Sequence, residues 1–531
     1  MDVDYLSRLM SGYIAILGGQ WATYAVAMLT TAYITRVLGP NDYAKFIQMQ
    51  FVYGIFNTVF NLAISSAVGK YAAEHAAKGE LSRASGVLRT GLKITLIMGF
   101  LASMTMLLFS NQLAGIIIGD ISTTECIILL SISTGLTVAI SPLTSYVYAL
   151  QKFREYSLIS ILSFAFWRAS LVVALLLGTG LYGLSFAWMV DSIILSLVIA
   201  IPILRMAGKA ETYPVTQLFS YSMPLAVSTY LGFLSQWIDS LLLPYVGSMR
   251  MLSMVNIAGT IINFTLVLIN SASTVLFMHF VRVDAIDGRE ALLEAGQRIS
   301  RLLFYCFVPL GFFVGAVSDL LVFLYAGSAF SQAASLLRIL SPFMTTGAVF
   351  FIIWTNEVTA VGKTRLLLLN SIVTLASYSL LGILLIPWLG EVGYILAKIL
   401  CGIVAFPYVW IKTKAIIPVR VDFTALLLSA LISTVIIMPS ILLDLSISSY
   451  ILTSAASIFG FVCYIIIITK AGLLTKGEMR LILRMIAQGL RFQGKPRKLN
   501  NKTSLKSSDL KSIKVELALV NQTPTRQASE Q

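Results

Sequence analysis

Fourteen apolar runs, each long enough to cross a bilayer, follow one another with short polar breaks between them. They are residues 12–35, 44–67, 86–109, 122–149, 156–178, 181–204, 217–245, 252–279, 300–325, 332–359, 365–387, 391–411, 421–443 and 449–469. About 20 helical residues cross the roughly 30 Å hydrocarbon layer. Charged residues are 12% of the chain, against roughly 25% in soluble domains, so no water-soluble core could hide this much apolar side chain. Backbone groups in hydrocarbon must be bonded within the protein. The expected fold class is therefore an all-α polytopic membrane protein with fourteen transmembrane helices. "MDVDYLSRLM" starts acidic and the first apolar run is full length, so no cleavable signal peptide is expected. Cys126, Cys306, Cys401 and Cys463 all fall inside apolar runs and read as small buried hydrophobes rather than a disulfide or metal framework.

A net charge of +14 is a charge that nucleic-acid binders share, but its distribution points to topology. With the N-terminus on the cytoplasmic side, the cytoplasmic segments hold nineteen Lys and Arg, among them Lys70, Lys78, Arg83, Lys152 and Lys363. The opposite loops hold three, Arg36, Lys45 and Arg250, which is the asymmetry of the positive-inside rule. This predicts a multi-pass protein of the cell membrane with both termini cytoplasmic and no nucleic-acid partner. After the last run, Lys476, Arg480 and Arg484 recur on one face of a predicted helix with Leu and Met opposite, a pattern for anionic lipid headgroups. From about residue 493 the chain is polar, basic and poor in aromatics, as disordered tails are. The glycosylation patterns at Asn501 and Asn521 fall on the side where they would not be used.

A repeat is hidden in the hydropathy. "SNQLAGIIIGD" after run three matches "SDLLVFLYAGS" after run nine, "ALQKFREYSLISI" meets "AVGKTRLLLLNSI", and "GLYGLSFA" meets "GEVGYILA". These segments keep their order at an offset of about 210 residues. Internal symmetry of this kind is a signature of transporter folds, and six helices per half make the repeat parallel. The expected organisation is 1–208 and 209–418 as two six-helix bundles, 419–470 as two added helices, and 471–531 as the basic helix and tail.

Polar residues inside the runs are costly in lipid and should face the bundle interior. Run two carries Gln50, Asn57, Asn61 and Ser65 on one helical face. Run eight, its repeat partner, carries Asn256, Thr260, Asn263, Asn270 and Thr274. Two readings stay open: a cavity that bonds sugar hydroxyls, or amide bonds that knit helices together. Arg168, Asp191, Asp239 and Lys398 are ionised groups deep in their runs. Arg168 and Asp191 lie at matching depth and are expected to pair; Asp239 and Lys398 likewise. The alternative is that Arg168 or Lys398 holds a substrate phosphate, or that Asp191 or Asp239 binds a coupling ion. Glu357 and Arg338 lie nearer run ends and read as interfacial.

The corner after the first run, Arg36-Val37-Leu38-Gly39-Pro40-Asn41-Asp42-Tyr43-Ala44-Lys45-Phe46, turns the chain, since Gly-Pro cannot continue a helix. With twelve repeat helices and two more, it resembles the polysaccharide-transporter (Wzx-like oligosaccharide flippase) family of the multidrug/oligosaccharidyl-lipid/polysaccharide (MOP, MATE-like) exporter superfamily. Ala44 stands where that family often has Gly. The resemblance implies a flippase working by alternating access on a polyprenyl-linked glycan, with the headgroup in a polar cavity and the tail in lipid. It implies tail contact for the two added helices, and no substrate contact for the corner. Peptidoglycan-precursor flippases of the superfamily carry arginines deep in helices one, two, seven or eight; this chain has no Lys or Arg there, which favours a more neutral glycan.

Two rival classes remain. A cation-coupled multidrug antiporter would share the fold, with Asp239 as its coupling carboxylate. A membrane glycosyltransferase would need a metal site, for which Asp2-Val3-Asp4 has the spacing. His75 and His279 have no ligand constellation around them, and no P-loop or nucleophile–base motif is visible. The expectation is a non-enzymatic flippase with no cofactor and no metal, any coupling being to a Na⁺ or H⁺ gradient. It would act as a monomer or beside glycan-assembly enzymes.

Overall fold

A chain that must bond its own backbone in lipid has few options, and among the described residues this one takes helices throughout, with no strand. The structure is a computed structural model that describes residues 3–473 except 209–210, 287, 364, 415, 417–419 and 448–449. Side chains are described from Tyr24 onward, with gaps at 153–154 and within 268–287 and 438–451. The Asp2 and Asp4 side chains, His279, Thr274, the basic helix around Lys476 and Arg484, and the tail from 493 lie outside the described residues.

The first half runs through α1 (Val3–Asn61), α2 (Ile64–Ala77), α3 (Leu81–Leu108) and a short α4 (Ser110–Gln112) that continues as a π-helical turn, Leu113–Ile118. A 3-10 turn at Ile121–Thr123 leads into α5 (Thr124–Ala149), α6 (Phe153–Leu176) and α7 (Gly180–Met206). The second half repeats that order with α8 (Val215–Val246), α9 (Met249–Ile286), α10 (Gly288–Ala316), the short α11 (Ser318–Ala326), a 3-10 turn at Ser328–Phe330, α12 (Ala333–Ala360) and α13 (Arg365–Lys414). Then come α14 (Phe423–Ile447) and α15 (Tyr450–Lys470).

Helices and apolar runs do not correspond one to one. Nine helices among the described residues are long and apolar enough to cross a membrane, ten if the bent pair α1 (from Tyr24) and α2 is one span. Two of the long helices hold two runs each. α13 has 50 residues, which unbroken would reach about 75 Å. It leaves helical geometry at Gly390 (φ 55°, ψ −125°), between runs eleven and twelve. α1 does the same at Gly39 (φ 71°, ψ 177°), directly before Pro40. A glycine tolerates such a backbone, which side chains otherwise penalise.

The repeat reappears in the backbone. Left-handed residues recur in register at Gly79 and Gly288, Gly119 and Gly327, Gln151 and Gly362, and Gly180 and Gly390. Each pair closes the corresponding turn of its half. Packing follows the same division: α3 lies on α5 and α5 on α7, while α10 lies on α12 and α12 on α9. The halves meet mainly through α1 against α8 and α9, and α14 packs on α10 and α15. Met1–Ala471 form one compact unit.

Small residues set the closest helix approach. A Cβ on Gly99 of α3 would lie 2.3 Å from the Gly135 carbonyl oxygen of α5, and one on Gly135 would lie 2.9 Å from that of Gly99. Such contacts let backbones pack closely where lipid supplies no hydrophobic drive between helices. Gly99→Val should therefore cost about 1–3 kcal/mol of overpacking and lower the melting temperature in detergent by several degrees. Gly232→Ala, with nothing within 4 Å of an added Cβ, should change it far less. Equal shifts for the two variants would show that α3 and α5 are not in this contact.

Candidate functional site

The Gly39 break places the polar corner where the two halves meet. Arg36 extends its guanidinium to carbonyls of the last turn of α11, donating to Phe323 O at 3.2 Å and also to Leu324 O. From the other half, the Tyr245 hydroxyl of α8 donates to Ile116 O, 2.7 Å away in the π-helical turn. Residues 116 and 324 correspond under the repeat, and Tyr245 stands one position past the counterpart of Arg36. Each half thus donates into the carbonyls that end the other half's short helical segment, forming a reciprocal clasp. Just beyond the break, Tyr43 Oη donates to Asn256 Oδ1 at 2.8 Å and its ring meets Phe330 edge-on at 6.0 Å. Deeper still, buried Gln48 Nε2 donates to Ser240 O at 2.8 Å. The corner's Lys45 bridges Asp120 at 2.8 Å and Asp42 at 3.2 Å. Lys45, with the Ser122 hydrogen bonds, holds the Asp120 carboxyl down at about 2. The corner therefore joins the halves as well as turning the chain.

Of the expected ion pairs, one forms. Lys398 Nζ lies 3.1 Å from Asp239 Oδ2, which also accepts from Tyr394 Oη at 3.2 Å, while Tyr378 Oη donates to Oδ1. The ammonium sits 3.9 Å above the Tyr378 ring. With three donors around it, Asp239 has little capacity left for a free cation in this conformation. Arg168 and Asp191 do not pair, which corrects the depth argument. Arg168 Nη1 donates to Thr31 of α1 at 2.9 Å, and its guanidinium stacks 4.6 Å from the Trp167 ring. Asp191, 4% exposed, lies on α7 beside Ser192, which contacts Ser133 of α5, and its Oδ1 has no hydrogen-bond partner. Depth was equal, but the two side chains leave their helices on different faces.

The two ionisable residues nearer run ends are handled differently. Arg338 pairs with Asp319 of α11. Glu357, near the end of α12, is fully buried with neither carboxylate oxygen bonded among the described residues. It fits because α10 has a glycine opposite: a Cβ on Gly296 would fall 1.8 Å from Glu357 Oε1.

The amide stripes divide between the two readings. Asn61 Nδ2 donates to Ser141 of α5 at 2.8 Å and to Ser65 at 3.1 Å, and Ser65 Oγ contacts Ser141 Oγ at 2.8 Å. This knot straddles the break between α1 and α2, where Leu62 and Ala63 are left-handed. Asn256 is held by Tyr43, Gln50 and Asn57 are half-buried, and Asn263 and Asn270 are exposed. Knitting thus takes Asn61 and Asn256. Below the knot, α2, α5 and α6 border a groove of about 580 Å³ lined by Ser65, Lys70, Thr144, Tyr148, Gln151 and Tyr156. Lys70 appeared in the sequence only as a topology charge. Gln48, Ser141 and Glu357 were legible as polar residues in apolar runs, but nothing in the sequence distinguished them from the others.

A family model described as polysaccharide biosynthesis protein matches residues 33–335. No curated protein matches the chain. Among solved structures, it is similar to the lipid II flippase MurJ in an inward closed conformation, at 14% identity and TM-score 0.65 over 88% of this chain and 100% of that one. It is similar to an inward-facing multidrug resistance MATE family transporter of the MOP superfamily, at 15% identity and TM-score 0.59 over 74% and 94% of the two chains. A MOP superfamily transporter from Pyrococcus furiosus matches at 16% identity and TM-score 0.54 over 76% and 96%. At these identities the likeness shows the MOP fold, and with it a multi-pass membrane protein.

The clasp can be tested through Ala326, 2% exposed beside it. In a background with the four native cysteines replaced by alanine, Ala326→Cys should react slowly with a membrane-impermeant maleimide. Combining Arg36→Ala with Tyr245→Phe should raise that rate at least about fivefold, more than either change alone, since each bond contributes roughly 0.5–3 kcal/mol. An unchanged rate would mean that these bonds do not hold this end shut.

Proposed function

This chain belongs to the polysaccharide biosynthesis protein family, and from that premise we propose that it flips a lipid-linked oligosaccharide across the cell membrane by alternating access. The observation that carries the mechanism is the reciprocal clasp. Two copies of one helical unit are joined at one end by a few hydrogen bonds that symmetry lets form and break together. Small concerted shifts at such an interface are the usual way packed bundles switch between discrete states. With the basic loops on the cytoplasmic side, as the positive-inside rule favours, the clasp would lie on the outer face and close the outer end. The glycan headgroup would pass between the halves while the polyprenyl tail stays in lipid along α14 and α15, which lie outside the repeat.

One observation favours a second reading, a cation-coupled antiporter of the same superfamily. Glu357 is an unbonded, fully buried carboxyl on α12. An unpaired carboxylate in such a site is too costly to persist charged, so a proton that binds and leaves with conformation would give it a role. The same proton could drive a flippase.

The test is leaflet exchange in proteoliposomes holding a fluorescent polyprenyl diphosphate-linked oligosaccharide, read with an impermeant quencher. Protein-dependent exchange is expected, and Glu357→Gln should leave passive exchange intact while abolishing any acceleration by an imposed H⁺ gradient. Absence of exchange with and without Na⁺ or H⁺ gradients, alongside gradient-driven efflux of an organic cation, would establish the antiporter instead.

A further inference from the structure

Where the two halves of the repeat depart from one another, one half has been shaped for something the other does not do. Two departures fall together. The first is the break between α1 and α2, at Leu62 and Ala63, with φ of 50° and 54°. The corresponding stretch of α9, about residues 270 and 271, is continuous helix. The second is the turn after α5. The second half uses Gly362 there, with φ 75°, whereas the first half holds Gln151 at φ 56°. Glycine takes that backbone freely and glutamine does not. Leu62, Ala63 and Gln151 are the non-glycine residues with left-handed backbone among the described residues. Gln151 lines the groove between α2, α5 and α6, and the break at Leu62 and Ala63 comes two residues before Ser65, which also lines it. Backbone strain gathered at one concavity is a mark of function.

The lining says what would fit. Lys70 Nζ lies 4.1 Å from the Tyr221 ring centre and 5.0 Å from that of Tyr71. Glu74, one turn on, is bonded instead to Lys78 at 2.9 Å. No ion pair of Lys70 with a carboxylate occurs among the described residues, so its charge is available to an anion. Around it stand the hydroxyls of Ser65 and Thr144, the Gln151 amide, and the rings of Tyr148 and Tyr156, 5.3 Å apart. Hydroxyls and an amide beside aromatic faces suit a sugar, and a lysine beside them suits a phosphate. About 580 Å³ lies within the 300–1,000 Å³ of small-molecule sites. The groove opens at the end that carries the basic loops.

We propose that this groove, built on the strained break and on Gln151, is the docking site where a phosphate-linked sugar headgroup is first received. The assignment rests on the flippase reading. Lys70 takes the phosphate charge, and Gln151 with the neighbouring hydroxyls takes the first sugar.

Gln151→Gly separates this from a merely structural turn, because it relieves the left-handed backbone while removing the amide. The probe is farnesyl diphosphate carrying N-acetylglucosamine or galactose, titrated into the full chain in detergent by intrinsic fluorescence. The result expected is wild-type binding that Lys70→Gln and Gln151→Gly each weaken about fivefold to tenfold, with a melting temperature for Gln151→Gly no lower than wild type. Inorganic pyrophosphate should be weakened by Lys70→Gln alone, and nanodiscs of phosphatidylglycerol should not displace the probe. No wild-type binding, unchanged binding in both variants, or full displacement by phosphatidylglycerol would overturn the proposal; the last would mark a general anionic-lipid contact. Leaflet exchange by wild type with an unaltered KM in the variants would sink the groove and leave the flippase. Variant-sensitive binding without any exchange would keep the groove and sink the flippase.

Discussion

The exchange of hydrogen bonds between Arg36 and the α11 carbonyls, and between Tyr245 and Ile116, is the interaction on which the closed end depends. Both donate into the ends of short helical segments, where the local field is negative. The repeat makes the arrangement reciprocal: a donor that suits one side of the interface is presented again by the other half. Because these bonds lie at an exposed edge, each is worth little alone. The deeper bonds of Gln48 and Tyr43 give the same interface a second layer.

Charge inside the helices is handled in two opposite ways. Asp239 is surrounded by an ammonium and two phenols, so its desolvation is offset by bonds from three donors. Glu357 has no such offset, and only the missing side chain of Gly296 gives it room. The first arrangement fixes α8 to α13. The second leaves a carboxyl buried without a bonded partner among the described residues. Of the carboxylates the sequence singled out, Asp239 is thus fully engaged, whereas Glu357 is not.

The halves are alike enough to share four left-handed turns and unlike enough to reveal a task. Holding Gln151 where its counterpart is glycine costs about 1–2 kcal/mol by the chirality of L-residues. Two further left-handed residues at the break cost a similar amount each. A chain that only needed a turn could use glycine, as it does at Gly362.

Much of this protein was legible before any coordinates. Apolar run lengths, the one-sided basic loops and the repeat follow from residue type along one dimension, because lipid, water and membrane potential all act along that axis. The Gly39 and Gly390 breaks were legible too, as glycines between runs. What the sequence could not supply was rotation about each helix. Successive residues turn by about 100°, so a small error in phase moves a side chain to another neighbour while leaving its depth unchanged. That is why Arg168 and Asp191 matched in depth yet do not meet, Arg168 bonding Thr31 of α1 instead, and why the amide stripes became knots at Asn61 and Asn256. It is also why Lys70, read as one more topology charge, proved to line a groove. Depth belongs to the sequence, and partners belong to the packing that fixes each helix's rotation and tilt.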